Sequence, residues 1–278
     1  MKFILIFLIF LIPSLQLKAQ EQTQEEIIDE GTKLYRNELT SWNATDYFSE
    51  NYAEKSDEIG GSFSYADSNM MKCVFFSKST KPTVIATVSF DTTIDIKSAV
   101  IDKKERIFTK YENELYTLQL NSIIAVASDN IFFKRYNNTS LVMVPLIDAF
   151  SKRVYIMTGV KQSCLVIFGN DYLIAFDENN KITYKKHLHK NIIPLECAKD
   201  ITVDNNNVPG TMHIHNVDAG NLPTPTDICS LMLYSKQANW KKHTVFAPDS
   251  VCIWNCETSH LTVMSKEEWR TKFAVHKK

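Results

Sequence analysis

The sequence has no excess of charge of either sign: 31 Lys and Arg stand against 32 Asp and Glu, a formal net charge of -1. Nucleic-acid binding leaves a basic patch or stripe as its footprint, and none runs through this chain, so that class is set aside. Beyond residue 19 no apolar run approaches the ~20 residues of a membrane span. Cysteine is sparse and irregularly spaced, at positions 73, 164, 197, 229, 252 and 256, which excludes a dense disulfide scaffold. Cys252 and Cys256 lack a matching Cys or His pair nearby, so a packed thiol or a local disulfide is expected there rather than a zinc cluster. Internal repeats and low-complexity linkers are also missing, which leaves any domain boundary soft.

What is present begins with an address. MKFILIFLIFLIPSLQLKAQ has one early lysine, an apolar run from Phe3 to Ile12, a breaker at Pro13 and the small Ala19 before a polar stretch. This is the layout of a signal peptide over 1–19, and the expected location is secreted or periplasmic.

The remainder reads as α+β, with a region at 20–100 and a larger domain at 101–278. Ile27, Ile28, Leu34, Tyr35, Leu39 and Trp42 recur at helical intervals from Glu25 to about Tyr52, which predicts one or two amphipathic helices there. DEIGGSFSYADSN interrupts that pattern, and MKCVFFS and TVIATVSFD, joined by KSTKP, predict a hairpin. A second long helix is expected over 101–128, from Ile107, Tyr111, Leu115, Leu118 and Ile123. Short strands should follow: IFFKRY, SLVMVPLI, RVYIMTG, CLVIFG, YLIAFD and KITYKKHLH. Residues 197–209 read as a long surface loop.

The chemistry concentrates in HIHNVDAGNLPTPTDICSLML, residues 213–233. On a strand, residues two apart share a face, so His213 and His215 can present two imidazoles to one point. Thr224 suits an N-cap, Pro225 the first helical position, and Asp227 falls three residues after the cap. The intervening loop can fold this helix start back over the strand, so that Asp227 becomes a third ligand. The bland alternative is a strand and a well-capped helix that contain histidines. His187 and His189 have the same spacing, but Lys185, Lys186 and Lys190 surround them, and a solvated edge strand is expected there.

The order His-x-His, loop, Thr-x-x-Asp, helix and strand pair resembles the JAMM (MPN/JAB) metallopeptidase motif over about 205–265. The resemblance implies a zinc ion on His213, His215 and Asp227, and gives Thr224 the place of a serine that helps polarise the reacting oxygen. It also implies peptide or isopeptide hydrolysis, with a peptide or protein substrate. The chain departs from the motif at Asn216, where proline is usual, and in a loop of eight residues, one longer than usual. It also departs in lacking a glutamate on an upstream strand to act as general base. Glu112 and Glu114 fall in a helix, Glu178 at a hairpin tip and Glu196 at a strand end, so no base is assigned. The alternative function on the same fold is a non-catalytic exported binding or interaction protein.

Overall fold

The computed structural model describes residues 22–160, 162, 164–197 and 210–273. The expected signal peptide and nearly all of the expected 197–209 loop lie outside the described residues. The fold is α+β, with three four-stranded sheets separated by helices.

Helix α1 (Gln24–Asn51) starts at Thr23, whose hydroxyl accepts from the Glu26 amide while the Glu26 carboxylate accepts from the Thr23 amide. That reciprocal cap satisfies two of the donors that every helix start leaves unpaired. The first sheet, β1 (Ile59–Asp67), β2 (Met70–Ser77), β3 (Val84–Phe90) and β4 (Val100–Asp102), is antiparallel throughout. Alternation along β2 gives it two apolar faces. Met71, Cys73 and Phe75 pack beneath Ala44 and Phe48 of α1, while Val74 and Phe76 pack against Leu115 and Phe108 on the other side.

The hairpin expected at 70–90 is present, but the sequence stretch read as a break is strand β1. Its Gly60 and Gly61 bulge at the start of the pairing and do not end it. Helix α2 (Lys110–Ser128) begins at the cap Thr109, not near 101, because Thr109 and Glu112 form a second reciprocal cap. Residues 100–102 form the edge strand β4 instead, so a boundary at 100/101 cuts that strand. Ile107, assigned to the helical pattern, is exposed outside the helix. Glu112 is buried and accepts two hydrogen bonds from Arg106 and one from Tyr65, which hold its carboxyl down at about 2 despite its burial.

The second sheet is a meander of β5 (Thr139–Ile147), β6 (Lys152–Val160), β7 (Leu165–Phe176) and β8 (Ile182–Glu196). IFFKRY is a turn rather than a strand: Phe133 is buried against Tyr172, and the Lys134 amide donates to the Tyr172 hydroxyl. CLVIFG and YLIAFD, expected as two strands, are one strand kinked at Gly169 and Asn170, which have φ of 77° and 51°. Helix α2 covers one face of this sheet, with α1 and α3 (Pro225–Tyr234) on the other. The third sheet runs in the order β12 (His260–Ser265), β11 (Ser250–Asn255), β10 (Lys242–Phe246), β9 (Gly210–Ile214). Strand β9 is parallel to β10, and the others are antiparallel.

Helix α3 lies between the second and third sheets, where Ile228 and Leu231 join Phe168, Trp240, Trp254 and Ile27 of α1 in one core. Gly31 permits the close crossing of α1 over α3, since a Cβ there would come within 2.5 Å of the Ile228 Cβ. Among the described residues no helix is long and apolar enough to cross a membrane. Cys252 and Cys256 are not joined: four residues of extended chain separate them by roughly 13 Å, beyond disulfide reach. The packed thiol is the alternative that stands.

Two outcomes are expected. Gly169→Ala should lower the denaturation midpoint by an amount worth about 3 kcal/mol, because a Cβ there would overlap the Asn191 carbonyl and the left-handed conformation is strained for alanine. Acidification should remove the stability that Glu112 contributes. Its folded value lies below the ordinary one, so the contribution is present above about pH 4.5 and is lost as pH falls toward 2. Thermal melts of Arg106→Met, less stable at neutral pH, should therefore converge on the wild type as the pH falls.

Candidate metal centre

Strand β9 is built inside out. Its apolar residues Met212 and Ile214 are 59% and 72% exposed, while His213 and His215 on the opposite face are 3% exposed. The His215 amide extends the ladder to the Phe246 carbonyl, so both rings project from extended backbone toward α3. Helix α3 is capped by Thr224: the Asp227 amide donates to its hydroxyl, and the Thr224 amide donates back to Asp227 Oδ2 at 2.8 Å. The helix start is therefore both things that the sequence allowed. Oδ2 serves the cap, while Oδ1 is buried without any hydrogen-bond partner.

His213, His215 and Asp227, the three residues singled out in the sequence, meet at one point. Asp227 Oδ2 lies 3.2 Å from His215 Nε2, and Oδ1 lies 3.7 Å from His213 Nε2. A fourth residue joins them: His189 Nε2 is 2.9 Å from His215 Nε2 and 3.6 Å from Asp227 Oδ2. The donor atoms of all four lie within 4.8 Å of one another, and all four side chains are buried. His213 Nε2 has no hydrogen-bond partner either. Buried polar atoms without partners are costly, and three imidazole nitrogens with a carboxylate are donors suited to a divalent transition metal. This group can hold a metal ion.

The expectation of a solvated edge strand at His187 and His189 is therefore corrected for His189. Strand β8 is at the sheet edge, but its register shifts: Asp171 pairs with His189 while Tyr172 pairs with His187, so Leu188 is an extra residue. The bulge separates the two histidines, turning His189 into the cluster and leaving His187 against Phe132 and Tyr172. The surrounding positive charge is led away, since Lys185 pairs with Asp129 at 2.7 Å and Lys190 pairs with Asp218.

Two further residues absent from the sequence reading orient the ligands. Asp171 sits just past the kink in β7 and accepts from both the His189 amide and its Nδ1, each at 2.9 Å, as well as from the Thr226 hydroxyl. Burial opposes a charge on His189, but the carboxylates of Asp171 and Asp227 outweigh it and raise that imidazole to about 9. A metal ion would take the place of the Nε2 proton. His243 on β10 bridges Thr211 and His213: its Nδ1 is 2.7 Å from the Thr211 hydroxyl and its Nε2 is 2.7 Å from His213 Nδ1. Burial lowers His213 to about 4 and His243 to about 3, so both are neutral at pH 7. With Nδ1 engaged, His213 offers Nε2 to the cluster.

No glutamate among the described residues contacts the cluster. Glu196 is exposed at the far end of β8, seven residues and roughly 23 Å of extended strand from His189. Glu112 is bound to Arg106, Glu114 lies beside Lys152, and Glu178 is exposed in a hairpin turn. The Thr224 hydroxyl is occupied by Asp227 Oδ2 at 2.9 Å and by Thr226 at 2.8 Å. A cavity beside Asp227, bordered also by Thr158, Phe168, Asp171, Thr226 and Ser230, has a volume of about 10 Å³. That is room for one water at most, and far below the several hundred Å³ of an ordinary ligand site.

Compared with protein-family models, with curated proteins and with solved structures, the chain matches none.

Asp171→Asn keeps the shape but removes the carboxylate that fixes His189. Titration with a competing chelator should show metal affinity falling about 10- to 100-fold, with the folded far-UV spectrum retained.

Proposed function

We propose that the chain is an exported, zinc-stabilised binding or interaction protein in which the metal joins parts of the fold and does not activate a substrate. The observation that carries this reading is His189, a fourth buried ligand held from behind by Asp171. A catalytic zinc typically has three protein ligands and an open position, whereas structural zinc is closed by four. Here the fourth place faces a histidine, the cavity beside Asp227 is too small for a peptide, and among the described residues no glutamate contacts the cluster.

Zinc is the metal proposed because three imidazoles and one carboxylate suit its tetrahedral preference. When bound it would supply charge and four directed bonds. The ligands come from β8, from β9 with its extension, and from α3, so one ion would link the second sheet, the third sheet and the helix between them. Thr224 then acts as a helix cap and a support for Asp227. The likeness to the JAMM motif is one of ligand order on a strand and a helix start. Hydrolysis of peptides or isopeptides would need a base and an opening, and neither accompanies the ligands among the described residues.

Elemental analysis of the purified chain should return one zinc per molecule. Removing it with a chelator should lower Tm by about 10 °C or more, because metal bound only to the folded state adds its binding energy to stability. His215→Ala should lose the metal and melt near the metal-free wild type. Both proteins should be equally inactive on peptide and isopeptide substrates. Zinc-dependent turnover by the wild type, absent from His215→Ala, would overturn the non-catalytic reading, and a metal-free, chelator-insensitive wild type would overturn the metal itself.

A further inference from the structure

Strands β7 and β8 pair up to Leu165 opposite Glu196, and the next residues outward are Cys164 and Cys197. Just past that last pair Cys164 turns out of the strand with φ of 61°, yet the Cys197 amide still donates to the Cys164 carbonyl at 3.1 Å and the two thiols neighbour each other. A backbone hydrogen bond across an antiparallel pair brings the opposed Cα atoms to about 5.5 Å. A disulfide spans Cα separations of roughly 4.4–6.8 Å. The backbone therefore already holds the two cysteines at bonding distance.

Access separates this pair from the three buried cysteines, while Cys256, partly exposed like Cys197, lies opposite Lys241 and not opposite a cysteine. Cys164 is exposed and Cys197 is partly exposed, whereas Cys73, Cys229 and Cys252 are buried. Both pair members border an open cleft of about 190 Å³ between Trp42, Tyr234 and Gln237, through which a small oxidant can reach them. Burial, and then the neighbouring Cys164 thiol, push the Cys197 thiol up to about 11. Redox-active dithiols have a stabilised thiolate, and the absence of one at Cys197 fits a stable structural link rather than a catalytic one.

We propose that Cys164 and Cys197 form a disulfide that staples the open end of the β7–β8 pair. That pair carries Asp171 and His189, and the chain leaves it at Cys197 on its way to β9. The oxidant is a low-molecular-weight disulfide such as glutathione disulfide. The Cys164 thiolate attacks one sulfur of the oxidant and expels a thiolate. The Cys197 thiolate then attacks Cys164 in the mixed disulfide and expels the second. One S–S bond forms as one breaks, the oxidant gains two electrons, and the two protons of the cysteines pass to the departing thiolates.

The test equilibrates the purified, metal-loaded chain with glutathione disulfide, followed by alkylation, non-reducing digestion and mass spectrometry. The expected product is a cross-linked peptide pair containing Cys164 and Cys197, with Cys73, Cys229 and Cys252 alkylated only after denaturation. Reduction with a phosphine should lower Tm by about 5–10 °C without loss of metal. Cys164→Ser and Cys197→Ser should melt at the reduced wild-type value and ignore the reductant. If Cys197→Ser fails to fold, the exposed Cys164→Ser carries the comparison. Free alkylation of both cysteines in the oxidised folded chain would overturn the proposal, as would links between chains, or a link whose reduction leaves Tm unchanged. Because metal content is read in the same samples, failure here is distinct from failure of the metal reading.

Discussion

Asp171 is the constraint on which the arrangement rests. It is a carboxylate buried between two sheets, where an unpaired charge would be strongly destabilising. It is made tolerable by three donors from two other elements: the amide and ring of His189 on β8, and the Thr226 hydroxyl in the first turn of α3. Satisfying that one carboxylate therefore sets the register at the β8 bulge, the direction of the His189 ring and the seat of the helix that carries Asp227. The kink at Gly169 and Asn170 delivers Asp171 to this position. Asn170 is itself buried, its side-chain amide donating to the Lys134 carbonyl and its side-chain oxygen accepting from the Tyr172 hydroxyl.

The three sheets are held together by shared helices. One end of α1 packs with α3 and the third sheet through Ile27, its middle faces the second sheet through Leu34, and its C-terminal part covers the first through Ala44 and Phe48. The paired charges follow the same logic: buried Glu30 of α1 meets Arg153 of β6, which also reaches Asp148. A helix of 28 residues, about 42 Å long, is what allows one element to serve three layers. The cluster of His189, His213, His215 and Asp227 forms where two of those layers meet, at the N-terminus of α3, whose dipole favours the buried Asp227 carboxylate.

Local chemistry was legible in the sequence wherever neighbouring residues settle it. The α+β class, the hairpin at 70–90, the helical character of 24–51, though not that it is a single helix, and the capped start of α3 all follow from periodicity and capping residues a few positions apart. His213, His215 and Asp227 were legible for the same reason, because a two-residue strand period and a cap-plus-three spacing each fix a direction for the side chain. Thr109 and Glu112 carry the same signature as Thr224 and Asp227, but the apolar pattern that runs back to Ile107 hides it and places the expected start of the second helix near 101 rather than after Thr109.

What only the tertiary structure decided was which distant groups would meet that face. His189 and Asp171 take their roles from a register shift between two strands, a property of the pair that neither strand's own residues encode. The lysines around His189 suggested solvent because their partners, Asp129 and Asp218, are far away in sequence. His243 lies on a strand whose parallel partner is 32 residues upstream in the register Val245 opposite His213, so its contact with His213 exists only once β9 and β10 pair. Sequence spacing set the directions of three of the four clustered side chains. Strand pairing supplied the fourth, together with the groups that orient the ring nitrogens, because hydrogen-bond register between remote segments is chosen by how the whole sheet satisfies its buried polar atoms.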